Sequence, residues 1–502
     1  MSKRRIPAAI ASCLVIIFFA PICTRALADD ASPAPDATRP NILWIIVEDM
    51  SAHFGCYGET TITTPNVDAL AADGARFSRA FVTAPVCSAA RSALITGMYQ
   101  TSIGAHHHRS GRGRLKIQLP PHVVPVPELF RRADYYTSNG ALENRGKRLA
   151  KTDYNFAHSE SLYDGNDWSG RREGQPFFAQ IQLRGGKMRH GDRFARQAKK
   201  TLGSLTKSED VTLPPYYPSD PVILDDWAHY LDTVRFTDAE VGRIIQRLDD
   251  EGLTENTYVF FITDHGISHV RAKQFCYEAG IHIPFIVRGP HVPGGTIRDD
   301  LTLQIDMPAT SLALAGIPVP EWMEGRDLFA DDQNDPRYVV AARDRCDETV
   351  DHIRCVRSIH FKYIRNFLPE RPYLQPNTYK DGKPIQLTMR RLHAEGRLDR
   401  NQSLIMADRR PSEELYDLRT DPHELHNLAA NPQREHDLKR HRAMLEEWIE
   451  ETGDQGRNPE PIEMYDSDMT AYVEGHQRRS KKRAETIRAN IRLMKEWAVA
   501  GR

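Results

Sequence analysis

The stretch "NILWIIVEDM" (residues 41–50) contains an unbroken apolar run that ends in two acidic residues, Glu48 and Asp49. A short apolar run bounded by polar residues is typical of a strand that is buried on both faces of a parallel sheet. The stretch therefore predicts a central strand of an α/β fold, with two carboxylates at its C-terminal end.

A second stretch, "TYVFFITDHG" (257–266), repeats this pattern and ends in Asp264 and His265. In an open α/β sheet, the ligand crevice lies outside the carboxyl ends of the strands. Acidic residues delivered there by two strands can share one hard divalent cation, which prefers carboxylate oxygens. Acidic residues at strand ends also commonly cap the next helix, so each pair alone leaves both interpretations open.

The rest of the first 340 residues alternates helical and strand patterns. "PNVDALAADGARFSRAFV" (65–82) predicts a helix, a glycine turn and a strand. Residues 176–183 and 283–290 predict further strands, and the amphipathic pattern of residues 225–253 predicts a long helix. Together these elements predict a mostly parallel sheet sandwiched by helices.

After about residue 340 the pattern changes. "KYIRNF" (362–367) and "EELYDLRTDPHELHNLA" (413–429) predict short strands, and a helix containing Trp448 follows. We therefore expect a smaller α+β domain, followed by a basic tail that forms a solvated surface helix. We predict a signal peptide (1–28) and a disordered spacer (29–39). An N-terminal catalytic domain (40–340), a smaller C-terminal domain (341–470) and a basic tail (471–502) follow.

The N-terminus has the features of a secretory signal peptide. "MSKRR" (1–5) is basic, residues 6–22 are apolar but short for a membrane span, and small residues around Ala28 provide a cleavage site. We expect export to the periplasm or the exterior and no membrane attachment after cleavage; an uncleaved anchor is the alternative. The whole chain has 67 basic and 68 acidic residues, which gives no field that favours nucleic acid.

The cysteine content does not indicate a disulfide framework. Two of the seven cysteines lie in the predicted signal peptide, and the five that remain are Cys56, Cys87, Cys276, Cys346 and Cys355. Cys346 and Cys355 could pair, but an odd number leaves at least one thiol to explain in an exported chain.

One cysteine has an unusual context. In "VCSAARSALITG" (86–97), Cys87 begins a predicted helix, where the helix N-terminus stabilises negative charge. Arg91 lies four residues later on the same helix face. This arrangement suits anion chemistry. The histidines at 106–108 are instead expected to form a surface loop, because three adjacent side chains cannot easily face one ion.

Taken together, these motifs resemble the type I, formylglycine-dependent sulfatases of the alkaline phosphatase superfamily, in particular bacterial arylsulfatases and heparan N-sulfatase-like members. The motifs follow the order and spacing of that family and span nearly the whole mature chain. The motifs that carry the resemblance are "NILWIIVEDM" (41–50), "CSAARSALITG" (87–97), "FFITDHG" (260–266), "KQFCYEAGIHIPFIVRGP" (273–290) and "ELYDLRTDPHELHNLA" (414–429).

The resemblance implies that a maturation enzyme oxidises Cys87 to formylglycine. One hydroxyl of the hydrated aldehyde attacks sulfur and displaces the alcohol, and the other then expels sulfate, which splits one hard step into two. The resemblance also implies a calcium ion bound by the residue at 87 and by Glu48, Asp49, Asp264 and His265.

The resemblance further implies that two cations act on the sulfate. Arg91 holds the formylglycine, and Lys273, five residues before Glu278, binds the sulfate and stabilises the charge of the transition state. A second family lysine is placed at Lys151, with Lys147 as the rival.

The family's general acid, a histidine, is placed at His190, for which a plain loop histidine is the alternative. Asp153 stands where another family histidine is found. Three further residues differ from the common family pattern: Ala89 replaces proline, Glu48 replaces aspartate and His265 replaces asparagine. Glu48 lengthens one ligand by a methylene, and His265 offers a nitrogen in place of a carbonyl.

A dense polar group in "AARDRCDETVDHIRCVRS" (341–358) is a candidate for binding the substrate. Its arginines can bind carboxylates or sulfates, and its acids can bind sugar hydroxyls; a surface salt-bridge network is the alternative. The candidate residues are Arg343, Asp344, Arg345, Asp347 and Glu348.

The expected reaction is hydrolysis of a sulfate ester, or a sulfamate, of a sulfated carbohydrate. A phosphoesterase of the same superfamily is one alternative, but its relatives use threonine or serine where this chain has Cys87. An inactive protein that binds sulfated glycans is another.

Overall fold

A mostly parallel sheet lies at the centre of the computed structural model, which describes residues 39–142, 148–189, 191–330 and 337–502. Its strands are β1 (Asn41–Val47), β2 (Ala75–Phe81), β3 (Tyr136–Gly140), β4 (Phe177–Leu183), β5 (Thr257–Thr263), β6 (His282–Arg288), β7 (Thr296–Arg298) and β8 (Thr302–Leu303). They are ordered β3-β4-β1-β5-β6-β2-β7, and β8 pairs with β2. Only β6 runs antiparallel to its neighbours.

The middle of the sheet positions the candidate site. Every residue of β1, β4 and β5 is buried, as the apolar runs predict. In the parallel register, Val47 of β1 is paired with Leu183 of β4 and with Thr263 of β5. The three strands therefore end at one level, and the residues that follow them meet at one edge of the sheet.

Helices flank this sheet, which confirms the predicted α/β class. The helices of this part of the chain are α1 (Pro65–Ala72), α2 (Cys87–Thr96), α3 (Val126–Arg132), α4 (Asp192–Leu202), α5 (Pro221–Asp250), α6 (Glu278–Ile281) and α7 (Asp306–Leu314). Helix α5 contacts α1 and α4, whereas α2 contacts α3 and α7. Helix α2 ends at Gly97, whose φ of 68° is the left-handed cap conformation that glycine favours.

A second, antiparallel sheet follows, also as predicted. Its strands, in the order β12-β11-β10-β9, are β9 (Tyr338–Arg343), β10 (Ile353–Ser358), β11 (Phe361–Asn366) and β12 (Glu413–Asp417). The helices are α8 (Pro384–Ala394), α9 (Arg400–Ser403), α10 (Glu435–Glu451), α11 (Ile462–Gln477) and α12 (Lys481–Val499).

Residues Arg39–Arg502 form one compact unit. Helix α11 runs across residue 470, where we placed the start of the tail, and the domain boundaries remain predictions. In the tail, α12 buries one face that includes Ile487 and Met494. Of the helices in the described part of the chain, none has the length and hydropathy needed to cross a membrane.

The five cysteines of the described chain are free thiols. The suggested pairing of Cys346 with Cys355 was therefore wrong. The thiol of Cys355, in β10, shares a hydrogen bond with Cys276. Cys346 instead accepts a hydrogen bond of 2.9 Å from Gln274 Nε2.

Candidate active site

Four buried side chains meet at the C-terminal edge of the central sheet. Asp49 follows β1, Asp264 and His265 follow β5, and Cys87 begins α2. One ligand atom of each lies within 4.8 Å of the others. Two carboxylates with an imidazole form a donor set that can hold a divalent cation. The two strand ends thus come together as their sequences predict.

The Cys87 thiol lies among positive charges. Its Sγ is 3.0 Å from Lys273 Nζ and 3.1 Å from His265 Nε2. Burial raises the pKa of this thiol, but nearby Lys151, Lys187 and Lys273 outweigh it and lower the pKa to about 6. A group at this position is therefore stabilised in its anionic form.

The orientation of His265 suits a metal ligand. Its Nδ1 is 2.8 Å from the carbonyl oxygen of Gly266, a contact that fixes the hydrogen on Nδ1. Nε2 then faces the group and lies 3.2 Å from Asp49 Oδ1. Burial lowers the pKa of His265, but Asp264, the charge at Cys87 and the hydrogen bond to Asp49 together raise the pKa to about 9. Because a metal ligand must be deprotonated, a bound cation would replace this proton.

Arg91 forms hydrogen bonds to residues at the C-terminal ends of β1, β4 and β5. It is buried, and its Nε donates a hydrogen bond of 3.1 Å to Asp264 Oδ2. Nη2 lies 3.3 Å from Glu48 Oε1, and Nη1 donates to Gln182 Oε1 at 2.6 Å. Because Arg91 and Cys87 share one face of α2, this anchoring also fixes the position of the thiol.

Glu48 lies outside the four-residue donor group. Its carboxylate instead binds three cations, since Lys151 Nζ lies at 2.8 Å and Lys187 Nζ at 2.5 Å in addition to Arg91. Burial raises the pKa of Glu48, but the two lysines and Arg91 outweigh it and lower the pKa. Its assignment as a metal ligand remains a prediction. In the structure, Glu48 holds cations around the site.

Lys187 is a site residue that the sequence reasoning missed. Asp49 and Cys87 raise its pKa against the effect of burial. The sequence feature that could have revealed Lys187 is the pair Gly185-Gly186, just beyond the end of β4. A Cβ on Gly186 would lie 2.1 Å from the carbonyl oxygen of Asp49, so glycine permits this close approach. Two glycines followed by a lysine at a strand end can therefore mark a site.

The residues that match the family less directly have different outcomes. Lys147 and His190 lie outside the described residues. Lys151 lies at the site, and Asp153 bridges Lys151 Nζ at 3.2 Å and Arg112 Nη2 at 2.7 Å. At this position Asp153 therefore links two cations.

The expectation that residues 106–108 form a surface loop was wrong. His106 and His108 are 7% and 4% exposed. His108 Nδ1 lies 2.8 Å from Ser88 Oγ, next to the nucleophile position. This stretch is buried because it packs between α2 and residue 345, whose carbonyl accepts the backbone N–H of His108.

The predicted substrate-binding residues are buried and mostly bound within the protein. Arg343 pairs with Asp351, and Glu348 accepts hydrogen bonds from Thr378 and Asn490. Burial raises the pKa of Asp344 to about 7, although it pairs with Arg354 at 3.1 Å. These contacts favour the salt-bridge alternative for Arg343 and Asp344, in the interior and not on the surface, whereas Glu348 is held by neutral donors. Two others line a cavity: Arg345, which binds Glu460 and Asp468, and Asp347.

Replacing Arg354 by methionine should destabilise the protein strongly. Arg354 is fully buried and binds both oxygens of Asp454, at 2.7 and 3.0 Å. Its loss leaves a buried carboxylate uncompensated, which costs about 3–5 kcal/mol in the free energy of unfolding. Urea denaturation measures this change. Arg397→Met is the control, because its pair with Glu395 is exposed and screened by solvent, so its loss should hardly change the free energy of unfolding. Equal losses would contradict the prediction.

A site of this composition can hold a cation and an anion side by side, with a nucleophile between them. Lys273, Lys187 and Arg91 supply the positive charge that an anionic substrate needs. A nucleophile position, a group of side chains that could hold a metal ion, and fixed cations at one sheet edge are the parts needed to hydrolyse an anionic ester.

Comparison with known proteins specifies the class. The family model for sulfatases matches residues 40–317. An ulvan-active sulfatase from Formosa agariphila is 33% identical over 467 residues, which cover 84% of this chain and 76% of that protein. The chain therefore belongs to the sulfatase family, whose members hydrolyse sulfate esters.

Two further similarities agree with this assignment. Human N-sulphoglucosamine sulphohydrolase is 25% identical over 83% of this chain and 91% of its own. The solved structure of a 2-O GAG sulfatase superposes with a TM-score of 0.60 at 20% identity, covering 85% of this chain and 96% of that one. This second similarity shows that the fold is shared.

Gly186→Ala should strongly lower sulfatase activity. The added Cβ collides with the backbone of Asp49 and displaces its carboxylate from the donor group. A misplacement of about 1 Å can cost about a hundredfold in rate. Steady-state kinetics with an aryl sulfate measure the loss. Gly382→Ala is the control, because no atom lies within 4 Å of its added Cβ. Equal activity of the two variants would contradict the prediction.

Proposed function

We propose that this protein hydrolyses a sulfate ester, or a sulfamate, of a sulfated glycan, with a formylglycine at position 87 and a bound calcium ion. The observation that carries the proposal is the position of Cys87. Its Sγ lies within hydrogen-bond distance of Lys273 Nζ and in one donor group with Asp49, Asp264 and His265.

Two groups would be added to the chain. A hydrated formylglycine at position 87 would supply one hydroxyl to attack sulfur with loss of the alcohol, and a second hydroxyl whose deprotonation would break the C–O bond to sulfate and restore the aldehyde. A bound calcium ion would supply positive charge to polarise the sulfate and favour the deprotonated hydroxyl. Asp49, Asp264 and His265 would hold the cation, and the hydrogen bond from His265 to Gly266 keeps Nε2 available as a ligand.

The cations of this chain act on the sulfate. Lys273 lies against both the nucleophile position and Asp49, where it can bind a sulfate oxygen and stabilise negative charge in the transition state. Arg91 orients the group at position 87 through its bonds to Asp264 and Glu48. Lys151 and Lys187 add positive charge at the rim of the site. His190 remains our candidate for donating a proton to the leaving alcohol.

The relatives support a glycan as substrate. Their names specify ulvan in one case and N-sulphoglucosamine in another. We further propose that the chain is exported through the predicted signal peptide at residues 1–28. A formylglycine-generating enzyme of the host would be its partner in maturation, acting on Cys87.

The test uses protein produced together with a maturation enzyme. We expect it to hydrolyse 4-nitrophenyl sulfate and sulfated oligosaccharides, and to prefer 4-nitrophenyl sulfate over 4-nitrophenyl phosphate in kcat/KM. A preference for the phosphate would favour a phosphoesterase. Binding of sulfated glycans without turnover of either ester would favour the inactive binding protein. Either result would overturn the proposal.

A further inference from the structure

A basic cavity lies beside the candidate active site. It has a volume of about 330 Å³ and is lined from one side by Arg109, Arg112 and Asp347. Tyr472, His476 and Arg479, at the C-terminal end of α11, line the other side. The catalytic region and the C-terminal part of the chain thus both contribute to it.

The charges in this cavity leave a positive excess. The Arg479 side chain is exposed, and no ion pair to it is found among the described residues. Arg109 is half exposed and only loosely paired, 3.7 Å from Asp347 Oδ1. By contrast, Arg345 is held by Glu460 and Asp468. Two arginines are therefore available to an anionic group, for which their forked guanidinium groups are suited.

Hydrogen bonds and ion pairs link the lining of the cavity to the residues around the nucleophile position. Ser88, the residue after Cys87, accepts the backbone N–H of Arg109 at 2.8 Å. On the other side, Arg112 reaches the site through Asp153 and Lys151. The cavity therefore lies close to the residues that surround Cys87, on the side where a sugar next to the sulfated one could bind.

One wall of the cavity offers an acceptor for a sugar hydroxyl. Asp347 is 4% exposed, and its Oδ1 has no hydrogen-bond donor among the described residues. Asp347 and Arg109 both have a left-handed backbone, with φ of 52° and 60°. Strained conformations of this kind tend to persist at ligand-binding positions. An acceptor beside arginines suits a sugar that carries both hydroxyls and an anionic group.

We propose that this cavity is a subsite for a second anionic group, a carboxylate or a second sulfate, on the sugar next to the one that is desulfated. Arg109 and Arg479 bind the anion, and Asp347 accepts a hydroxyl. The proposal rests on the proposed sulfatase function and makes the enzyme selective for acidic glycans.

The test compares substrates within each enzyme variant. The probes are synthetic disaccharides in which a sulfated sugar is linked to a uronic acid, to its carboxyl-reduced form, or to a sulfated neutral sugar. The measured quantity is kcat/KM for each disaccharide divided by kcat/KM for 4-nitrophenyl sulfate. Arg479→Ala should lower this ratio about tenfold or more for an acidic disaccharide, because a charge-assisted hydrogen bond is lost.

Arg478→Ala is the matched control, since Arg478 is exposed and does not line the cavity. The ratios of this variant should equal those of the wild-type enzyme. If Arg479→Ala lowers the ratio only for the uronic acid disaccharide, the group bound in the cavity is a carboxylate. If it lowers the ratio for the disaccharide with the sulfated neutral sugar, the bound group is a sulfate. The proposed subsite would be overturned if Arg479→Ala lowered the ratio for the carboxyl-reduced disaccharide as much as for the acidic ones, or lowered none of the ratios. If the wild-type enzyme turned over none of these substrates, the proposed function itself would be overturned.

Discussion

Replacing Cys87 by alanine should abolish sulfate ester hydrolysis while the protein stays folded. Removal of the nucleophile from a hydrolase costs about six orders of magnitude in kcat. The fold should persist because the Cys87 side chain does not cap α2, and Lys273 keeps its 2.8 Å bond to Asp49. Turnover of 4-nitrophenyl sulfate and the urea unfolding midpoint measure the two effects.

A second buried cysteine provides the control for this prediction. Cys355 is fully buried in β10, away from the donor group. Cys355→Ala should retain activity and lose about 1 kcal/mol of stability, a typical effect of a point substitution. Measurable turnover by Cys87→Ala, above that of protein purified without maturation, would contradict the role of this residue.

Replacing Asp264 by asparagine should remove calcium binding. The Asp264 carboxylate is fully buried and also accepts hydrogen bonds from Arg91 and from the backbone of Asp49. The change removes one of the two carboxylate charges in the donor group, and ligand charge sets calcium affinity. We expect the affinity to fall by more than about a hundredfold and hydrolysis to fall with it.

The melting temperature of metal-stripped protein gives a readout that does not depend on activity. A ligand that binds only the folded state raises Tm, and the rise grows with the logarithm of the ratio of ligand concentration to Kd once the site is saturated. Calcium should raise the Tm of the wild-type enzyme. It should also raise the Tm of the control variant Asp306→Asn, in which the substituted carboxylate is buried at the start of α7. It should leave Asp264→Asn unchanged. An equal rise for all three proteins would place the cation elsewhere.

The fold and the centre of the site were readable from the sequence because they depend on local patterns. The apolar runs of β1 and β5 predict buried parallel strands, and parallel strands that end together deliver Asp49 and Asp264 to one edge. Helical spacing places Cys87 and Arg91 on one face of α2, and the resemblance to sulfatases supplies their roles. Each strand and helix is determined by residues that are close together in the chain, and the general rule for open α/β sheets brings the strand ends together.

The surroundings of the site depend on contacts between distant segments. Lys187 reaches Glu48 only because β4 lies beside β1, a pairing that no local pattern specifies. His108 is buried because its loop packs against residues near Arg345, more than 200 positions away. Arg343, a candidate substrate ligand, instead pairs with Asp351, eight positions further along the chain. Partner choice among many charged residues is not encoded in their spacing.

The mass of the peptide "AFVTAPVCSAAR" (80–91) is the most direct test of the proposed chemistry. Trypsin releases it from protein purified from the native host, or from a host with the maturation enzyme. We predict an aldehyde in place of the thiol at Cys87, with one sulfur and two hydrogens lost and one oxygen gained. An unmodified thiol, from a host that matures other sulfatases, would contradict the formylglycine mechanism.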